Sequence, residues 1–205
     1  MDAAFNVNLK SKDTPYLFTA ALQGVEIKEL KNDTPAKNKD ISGIIQGEVK
    51  LSGSLGDLAG SQGTGKVAIT KGKLWELDLF KGLGKLLFSQ DFANITFSEG
   101  SCAFSIHDKS ISTDELMLKS NMINLSGPVK IGFDNSINAK LNVDIISELV
   151  PLTGTFKDVT TALVGQSGKF AVITVSGTLK EPKYRFQAAI ADIIKGLADS
   201  FLRKI

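Results

Sequence analysis

The sequence has few of the residues that build catalytic and metal sites. Its 205 residues include one cysteine, Cys102, and one histidine, His107. A single thiol excludes an internal disulfide and any metal site made of several cysteines, and a second imidazole is missing for histidine pairs. The sequence places no two carboxylates to act together as acid and base. We therefore predict that the protein is not an enzyme and carries no metal or cofactor.

The chain also lacks charge of one dominant sign and lacks long apolar runs. It has 24 basic and 22 acidic residues, a net charge of +2, and no charged blocks. Without a basic stripe carrying interleaved aromatic residues, nucleic-acid binding is not expected. No run approaches the roughly 20 apolar residues that span a bilayer. Residues 1–5 lead directly into an alternating pattern, so a signal peptide is not expected.

Most of the sequence alternates between apolar and polar residues with the period of a β-strand. Clear examples are residues 5–9, 41–52 and 137–145, and turn residues such as Asp108-Lys109 separate the runs. A chain of this length buries about 70% of its unfolded surface and needs no disulfide to fold. We predict one mainly β (α+β) domain over residues 1–205. Its strongly curved antiparallel sheet forms a groove or a partly open barrel.

Helical spacing interrupts the strands in a few places. Residues 72–88 contain the only tryptophan, Trp75, and their apolar residues then recur every three or four positions, at Leu77, Phe80, Leu83 and Leu87. This spacing predicts a short central helix. Residues 156–164 and the single turn at 26–30 also favour helix. An apolar stripe from Phe186 to Ile205 predicts a C-terminal amphipathic helix. Its polar face is not strongly basic, so we expect it to cover the sheet more readily than a membrane surface.

Two glycine patterns have different interpretations. Residues 60–66, GSQGTGK, have the spacing of a phosphate-binding loop. However, Val67 stands where a magnesium-binding serine or threonine belongs, and a strand pattern follows in place of a helix. We therefore interpret residues 60–66 as a glycine-rich turn. Earlier in the glycine-rich stretch 53–65, Leu55 and Leu58 are expected to anchor a short turn. A weak repeat, in which a strand crosses a Ser-Gly pair, predicts a bulge or bend at Gly53, Gly127 and Gly177.

The remaining candidate residues, Cys102 and His107, are assigned from their phase in one predicted strand. Cys102, Phe104 and Ile106 share one phase, so Cys102 is predicted to be a small core residue and not a nucleophile. His107 is out of phase and is predicted on the polar face or at the turn, as an exposed residue at the end of a hairpin. Residues 98–101 are predicted to form the turn that precedes this strand.

Several segments resemble the AsmA-like C-terminal domain family. Residues 65–83, GKVAITKGKLWELDLFKGL, are similar to its "G-x-L-W-x-x-P-L-F-x-G-L" pattern, with Asp78 where proline is common. Residues 104–114 and 125–127 continue the resemblance. Residues 175–184 are similar to the "V-x-G-T-L-x-x-P" ending of the family. Phe97-Ser98 also fits, and the resemblance as a whole covers residues from about 41 to 187.

The resemblance implies a location and a general role. AsmA-like proteins are usually anchored in the bacterial inner membrane by an N-terminal helix, with most of the chain in the periplasm. Their elongated β-grooves are thought to hold or move phospholipid. The resemblance therefore implies that this chain is a soluble fragment of a longer anchored protein, on the periplasmic side of the inner membrane. It supplies no catalytic residues.

The pattern and the resemblance lead to one main functional hypothesis. Ten or so one-sided strands expose more apolar surface than three short helices cover, which favours an apolar groove. We predict a non-enzymatic lipid-binding or lipid-transfer module that takes a phospholipid or another acyl-chain lipid. The alternative is a structural or interaction module that caps a longer β assembly and docks an envelope protein. The candidate lipid-binding residues are Trp75, Leu77, Phe80, Leu83, Leu87, Phe104 and Ile106.

Overall fold

The computed structural model describes residues 2–9, 14–34, 37–73, 97–121, 123–146 and 169–188. Within these ranges the protein is mainly β, and ten strands form one antiparallel sheet. Each strand pairs with the next one along the chain, so the order in the sheet is the order in the sequence. The strands are β1 (Asp2–Val7), β2 (Pro15–Glu26), β3 (Ser42–Ser54), β4 (Asp57–Lys73), β5 (Glu99–His107), β6 (Ser110–Lys119), β7 (Ile123–Gly132), β8 (Ile137–Ile145), β9 (Lys169–Gly177) and β10 (Pro182–Ala188).

The strand register collects apolar side chains on one face of the sheet, which we call the apolar face. Paired residues on neighbouring strands project to the same side, and successive residues alternate between sides. Rows of paired residues therefore cross several strands on this face. Three such rows are Phe5, Phe18 and Leu51; Ile111 and Ile131; and Leu125, Val143 and Ala171.

The opposite side, which we call the polar face, carries the residues between these apolar positions. One of its rows is Lys50, Thr64 and Ser105, on β3 to β5. Glu48 forms an ion pair with Lys66 on the neighbouring strand at 3.1 Å, and both side chains are largely exposed. The period-two pattern of the sequence thus becomes a two-sided sheet.

The apolar face is best buried near β7, β8 and β9. The largest side chains there that are almost fully buried are Ile123, Leu125, Val143, Ile173 and Val175. Towards β1 the same face becomes exposed, and Phe5 keeps 56% of its surface accessible. Along the strand order, the core is therefore concentrated near β7 to β9, towards the β10 edge of the sheet, and not at the middle strands.

One of the predicted helices lies in the described part of the chain. The helical turn predicted at residues 26–30 is confirmed as α1 (Ile27–Leu30), followed by a 3-10 turn at Lys31–Asp33. Ile27 is buried and joins the core cluster. The central helix, the helix at 156–164 and the C-terminal helix beyond residue 188 lie outside the described residues.

The predicted start of the C-terminal apolar stripe at Phe186 is wrong. Phe186 belongs to β10 and pairs with Ile173 of β9. Its spacing from Ile190 fits a helix, but its spacing from Tyr184 fits a strand, and the sequence pattern does not decide between them. Pairing with β9 decides it, because Ile173 supplies a buried apolar neighbour on the same face.

Two predicted turns are also wrong. Residues 60–66 are strand, because they lie within β4 (Asp57–Lys73). The short turn expected near Leu55 is present at Leu55 and Gly56, between β3 and β4. Side chains of the neighbouring strands fill the space next to the glycines of β4. For example, a Cβ on Gly63 would come within 2.8 Å of a Leu51 methyl. Residues 99–101 likewise belong to β5, where Ser101 pairs with Met117. Small residues in both stretches gave the sequence the appearance of turns.

The predicted irregularities at the three repeat glycines take different forms. The β3–β4 register shifts between Ser52 and Ser54, on either side of Gly53. Gly127 has a φ of +148° and Gly177 a φ of +93°, which is backbone that other residues rarely adopt. Gly177 ends β9, so no strand crosses that glycine. A Cβ on Gly127 would overlap the carbonyl oxygen of Lys140 on β8.

We predict that Gly127→Ala destabilises the sheet by about 3 kcal/mol, since it adds backbone strain and a steric overlap. The matched control is Gly24→Ala. Gly24 also has a positive φ, of +63°, but no atom lies within 4 Å of its virtual Cβ, so only the cost of the left-handed conformation, about 1 kcal/mol, is expected. Urea unfolding measures both values. Equal losses in the two variants would contradict the assignment of the overlap.

Candidate functional site

A hollow of about 170 Å³ opens on the apolar face between β5 and β9, and we call it the apolar hollow. Every residue that lines it projects from the apolar face, and none is charged. The thiol of Cys102 and the hydroxyl of Thr113 are the polar side-chain groups in the lining. The lining residues are Cys102, Phe104, Ile111, Thr113, Leu116, Val129, Ile131, Ile137, Ala139, Leu141 and Val175.

A glycine on β4 sets the position of the aromatic ring in this lining. Gly65 pairs with Phe104 across β4 and β5. A Cβ on Gly65 would overlap the ring of Phe104 and come within 2.7 Å of the carbonyl oxygen of Glu48. The ring therefore occupies the space that a side chain at residue 65 would fill. This is the arrangement in which an aromatic residue covers a glycine on a neighbouring strand.

A bulge in β6 brings two further residues to the hollow. Thr113 pairs with Val129 and Leu116 pairs with Gly127, with a register shift between the two pairs. In a regular strand, residues three apart project to opposite faces. Because of the shift, Thr113 and Leu116 both line the apolar hollow. Asp114 and Glu115, which lie between them, are exposed.

Cys102 lies on the apolar face in phase with Phe104, as predicted, but it does not belong to the buried core cluster in which it was expected. The side chain is half-buried, and it has no disulfide partner. Burial raises the pKa of the Cys102 thiol, because the surrounding apolar groups disfavour the thiolate. A raised pKa lowers the thiolate fraction and with it the nucleophilicity of the sulfur.

The candidate lipid-binding residues divide into three groups. Phe104 lines the apolar hollow. Ile106 is buried on the same face, but it borders a different and more open depression of about 370 Å³ that reaches Lys50, Thr64 and His107. The other five candidates lie outside the described residues, and they are Trp75, Leu77, Phe80, Leu83 and Leu87.

Most of the hollow's lining was not among the candidates from the sequence. Residues such as Ile131, Ala139 and Leu141 carried only the alternation that identifies a strand. That signal assigned each of them to an apolar face. It did not indicate which strands contribute to one hollow.

His107 lies at the hairpin end between β5 and β6, as predicted. Its Nδ1 is 3.0 Å from a carboxylate oxygen of Asp108, and its Nε2 is 3.4 Å from the hydroxyl of Ser112. The order of these contacts is that of a Ser-His-Asp triad. In a triad, however, the aspartate is buried against its histidine, whereas the side chain of Asp108 is 87% exposed. These contacts form a solvated network on the polar face.

Over the part of the chain that the structure describes, two further kinds of site are absent. No group of three or more His, Cys, Asp or Glu side chains is arranged to hold a metal ion. No helix in the same ranges has the length and apolar character needed to cross a membrane.

Comparisons with known proteins add no relative. The chain matches no protein family, no curated protein and no solved structure. The resemblance to AsmA-like domains therefore remains a prediction, and the candidate site is argued from the geometry of the apolar face.

We predict that Cys102 reacts with a thiol reagent at least tenfold more slowly than an exposed cysteine in the native protein at pH 8, because its thiolate fraction is lowered by burial. The matched control is Ser101→Cys in a Cys102→Ser background. Residue 101 is the neighbouring position on β5 and is exposed on the polar face. Absorbance of the released thiolate gives both rates. Equal reaction rates of the two thiols in the native protein would contradict the placement of Cys102. In urea, where the protein is unfolded, both thiols should react rapidly.

Proposed function

We propose that this protein binds the acyl chain of a lipid in a groove on the apolar face of its sheet. The observation that carries the proposal is the apolar hollow, whose eleven lining residues include no charged side chain. A hydrocarbon chain needs contact with apolar atoms and no hydrogen bonds. A polar ligand would lose its hydrogen bonds to water in this hollow and regain few of them.

A curved sheet is part of the proposal. Phe104 of β5 and Val175 of β9 line the same hollow, although four strand spacings separate them. In a flat sheet that separation is about 19 Å, because neighbouring strands lie about 4.8 Å apart. One hollow of about 170 Å³ touches both strands more readily when the sheet bends around it.

The chemistry of the hollow favours selection by chain length. Each buried methylene contributes about 0.8 kcal/mol, which corresponds to about a fourfold change in the dissociation constant. Affinity should therefore rise about fourfold with each added methylene until the hollow is full. The charged head group of a lipid would remain outside the hollow, in water.

The cellular setting is proposed from the sequence resemblance. By analogy with AsmA-like domains, the ligand would be a phospholipid of the bacterial envelope. The protein would act on the periplasmic side of the inner membrane, as part of a longer anchored chain, and would hold or transfer the lipid without catalysis.

A second candidate function is docking of a protein partner at the end of a β assembly. The exposure of β1, whose residues Asp2 to Asn6 are all accessible, favours it. This function predicts that lipid is absent from purified protein and that changes in the apolar hollow leave partner binding unaltered.

Thr113→Trp tests the lipid proposal, because Thr113 lines the hollow and the larger side chain would occupy part of its volume. We expect the variant to bind a fluorescent fatty acid at least tenfold more weakly than the unaltered protein. Thr64→Trp is the matched control: Thr64 is an exposed threonine on the polar face, and its replacement should change affinity less than twofold. Native mass spectrometry of gently purified protein should also detect bound lipid, with less in Thr113→Trp.

Two results would contradict the proposal. One is purified protein that contains no lipid and does not bind fatty acid. The other is equal weakening by the two tryptophan variants, which would indicate binding elsewhere. Urea unfolding of both variants separates loss of binding from loss of fold.

A further inference from the structure

The two edge strands of the sheet differ in how they are protected from pairing with other chains. An open strand edge attracts another strand unless proline or charged side chains block it. β10 begins at Pro182 and carries Lys183 and Arg185. β1 has no proline and a single charged residue, Asp2. Of the two edges of the described sheet, β1 is therefore the one that is competent to pair.

The backbone of β1 directs three residues towards this open edge. The N–H of Asn8 donates to the carbonyl oxygen of Pro15 at 3.0 Å. In an antiparallel pair, hydrogen-bonded positions alternate along each strand. The backbone groups of even-numbered residues in β1 therefore bond to β2, and those of Ala3, Phe5 and Val7 point outward. Within the described ranges, β1 pairs with β2 alone.

The side chains of the same three residues lie on the apolar face. Ala3, Phe5 and Val7 pair with Ala20, Phe18 and Tyr16 of β2. The ring of Phe5 contacts the rings of Tyr16 and Phe18, with centroids 5.8 Å and 6.3 Å away. Both aromatic neighbours are on β2, and Phe5 remains 56% exposed. A strand added outside β1 would cover the exposed side of this ring.

We propose that β1 pairs with β1 of a second copy of this chain, in antiparallel orientation about a two-fold axis at Phe5. Phe5 then faces Phe5 of the second copy, and Ala3 faces Val7 of the second copy. All three outward-pointing residues take part, which forms about six backbone hydrogen bonds. The apolar faces of the two copies continue each other as one sheet of twenty strands, ten from each copy.

Face continuity and charge both favour this register and this occupant. Shifting the pairing by one residue would turn the apolar faces to opposite sides of the joint sheet. Asp2 is the only charged residue of β1. In the proposed register, the Asp2 residues of the two copies lie at opposite ends of the strand pair. No like charges face each other, and the two rings of Phe5 extend the aromatic row begun by Tyr16 and Phe18. The inference does not depend on lipid binding.

Replacement of Val7 by proline tests the pairing, since it removes an outward N–H and spares the bonds from β1 to β2. Sedimentation over a concentration series measures the mass. We expect the unaltered protein to shift from 21.9 kDa towards twice that mass, and Val7→Pro to remain monomeric. Val7→Ala is the matched control: it shortens the side chain but keeps the N–H, so dimerisation should persist.

Cysteine cross-linking tests the register in a Cys102→Ser background. Directly opposed residues at a hydrogen-bonded position have Cα atoms about 5.5 Å apart, within the range of a disulfide. Phe5→Cys should therefore form a dimer under mild oxidation. Ala4→Cys should not, because its counterpart lies diagonally at about 7–8 Å.

Dimer loss in Val7→Pro, retention in Val7→Ala and selective cross-linking at residue 5 would support the proposal. It would be overturned by a protein that stays at 21.9 kDa at every concentration, or by a dimer that Val7→Pro leaves intact. Preferential cross-linking at residue 4, or a different protein strand bound at β1, would overturn it as well. Circular dichroism of Val7→Pro shows whether the variant has lost its fold. If it has, cross-linking of Phe5→Cys serves as the test of the pairing without Val7→Pro.

Discussion

The strand register is the constraint on which the rest of this structure depends. In a sheet, a shift of one residue moves every side chain of a strand to the other face. Here nine successive pairings must keep the same phase for the apolar residues from β1 to β10 to share one side. Bulges adjust the phase where the sequence departs from strict alternation. In β6, the shift between Thr113 and Leu116 keeps both residues on the apolar face.

The linear order of the strands explains why the apolar face is unevenly buried. β1 and β10 do not pair with each other, so the described strands do not close into a ring. A sheet that stays open has two edges and a broad face that needs cover from elsewhere. Near β9 this face is fully buried, as at Ile173, whereas near β1 it is accessible, as at Phe5. The proposed binding surface and the proposed association edge therefore both depend on this topology.

The sequence predicted the strands well where side chains alternate and poorly where glycine replaces them. β8 has the predicted bounds, because its alternation is unbroken. The first part of β4, at residues 60–66, was mistaken for a turn, since Gly63 and Gly65 carry no side chain to mark a phase. Their strand conformation depends on Leu51 and Phe104, which are distant in sequence and cover the two glycines. The apolar hollow could not be predicted from the sequence pattern for a related reason. Its lining comes from five strands, and the bulge in β6 that contributes to it is defined only by the pairing of β6 with β7.

The composition of the hollow also bears on how selective it can be. Strong discrimination between polar ligands requires buried donors and acceptors that a wrong ligand leaves unpaired. In the lining, only Cys102 and Thr113 carry polar side-chain groups, and a thiol is a weak hydrogen-bond donor. Apolar contacts distinguish ligands mainly by size, at about 0.8 kcal/mol for each methylene. The proposed lipid site would accept many acyl chains of similar length, and selectivity for a head group would have to come from residues outside the apolar lining.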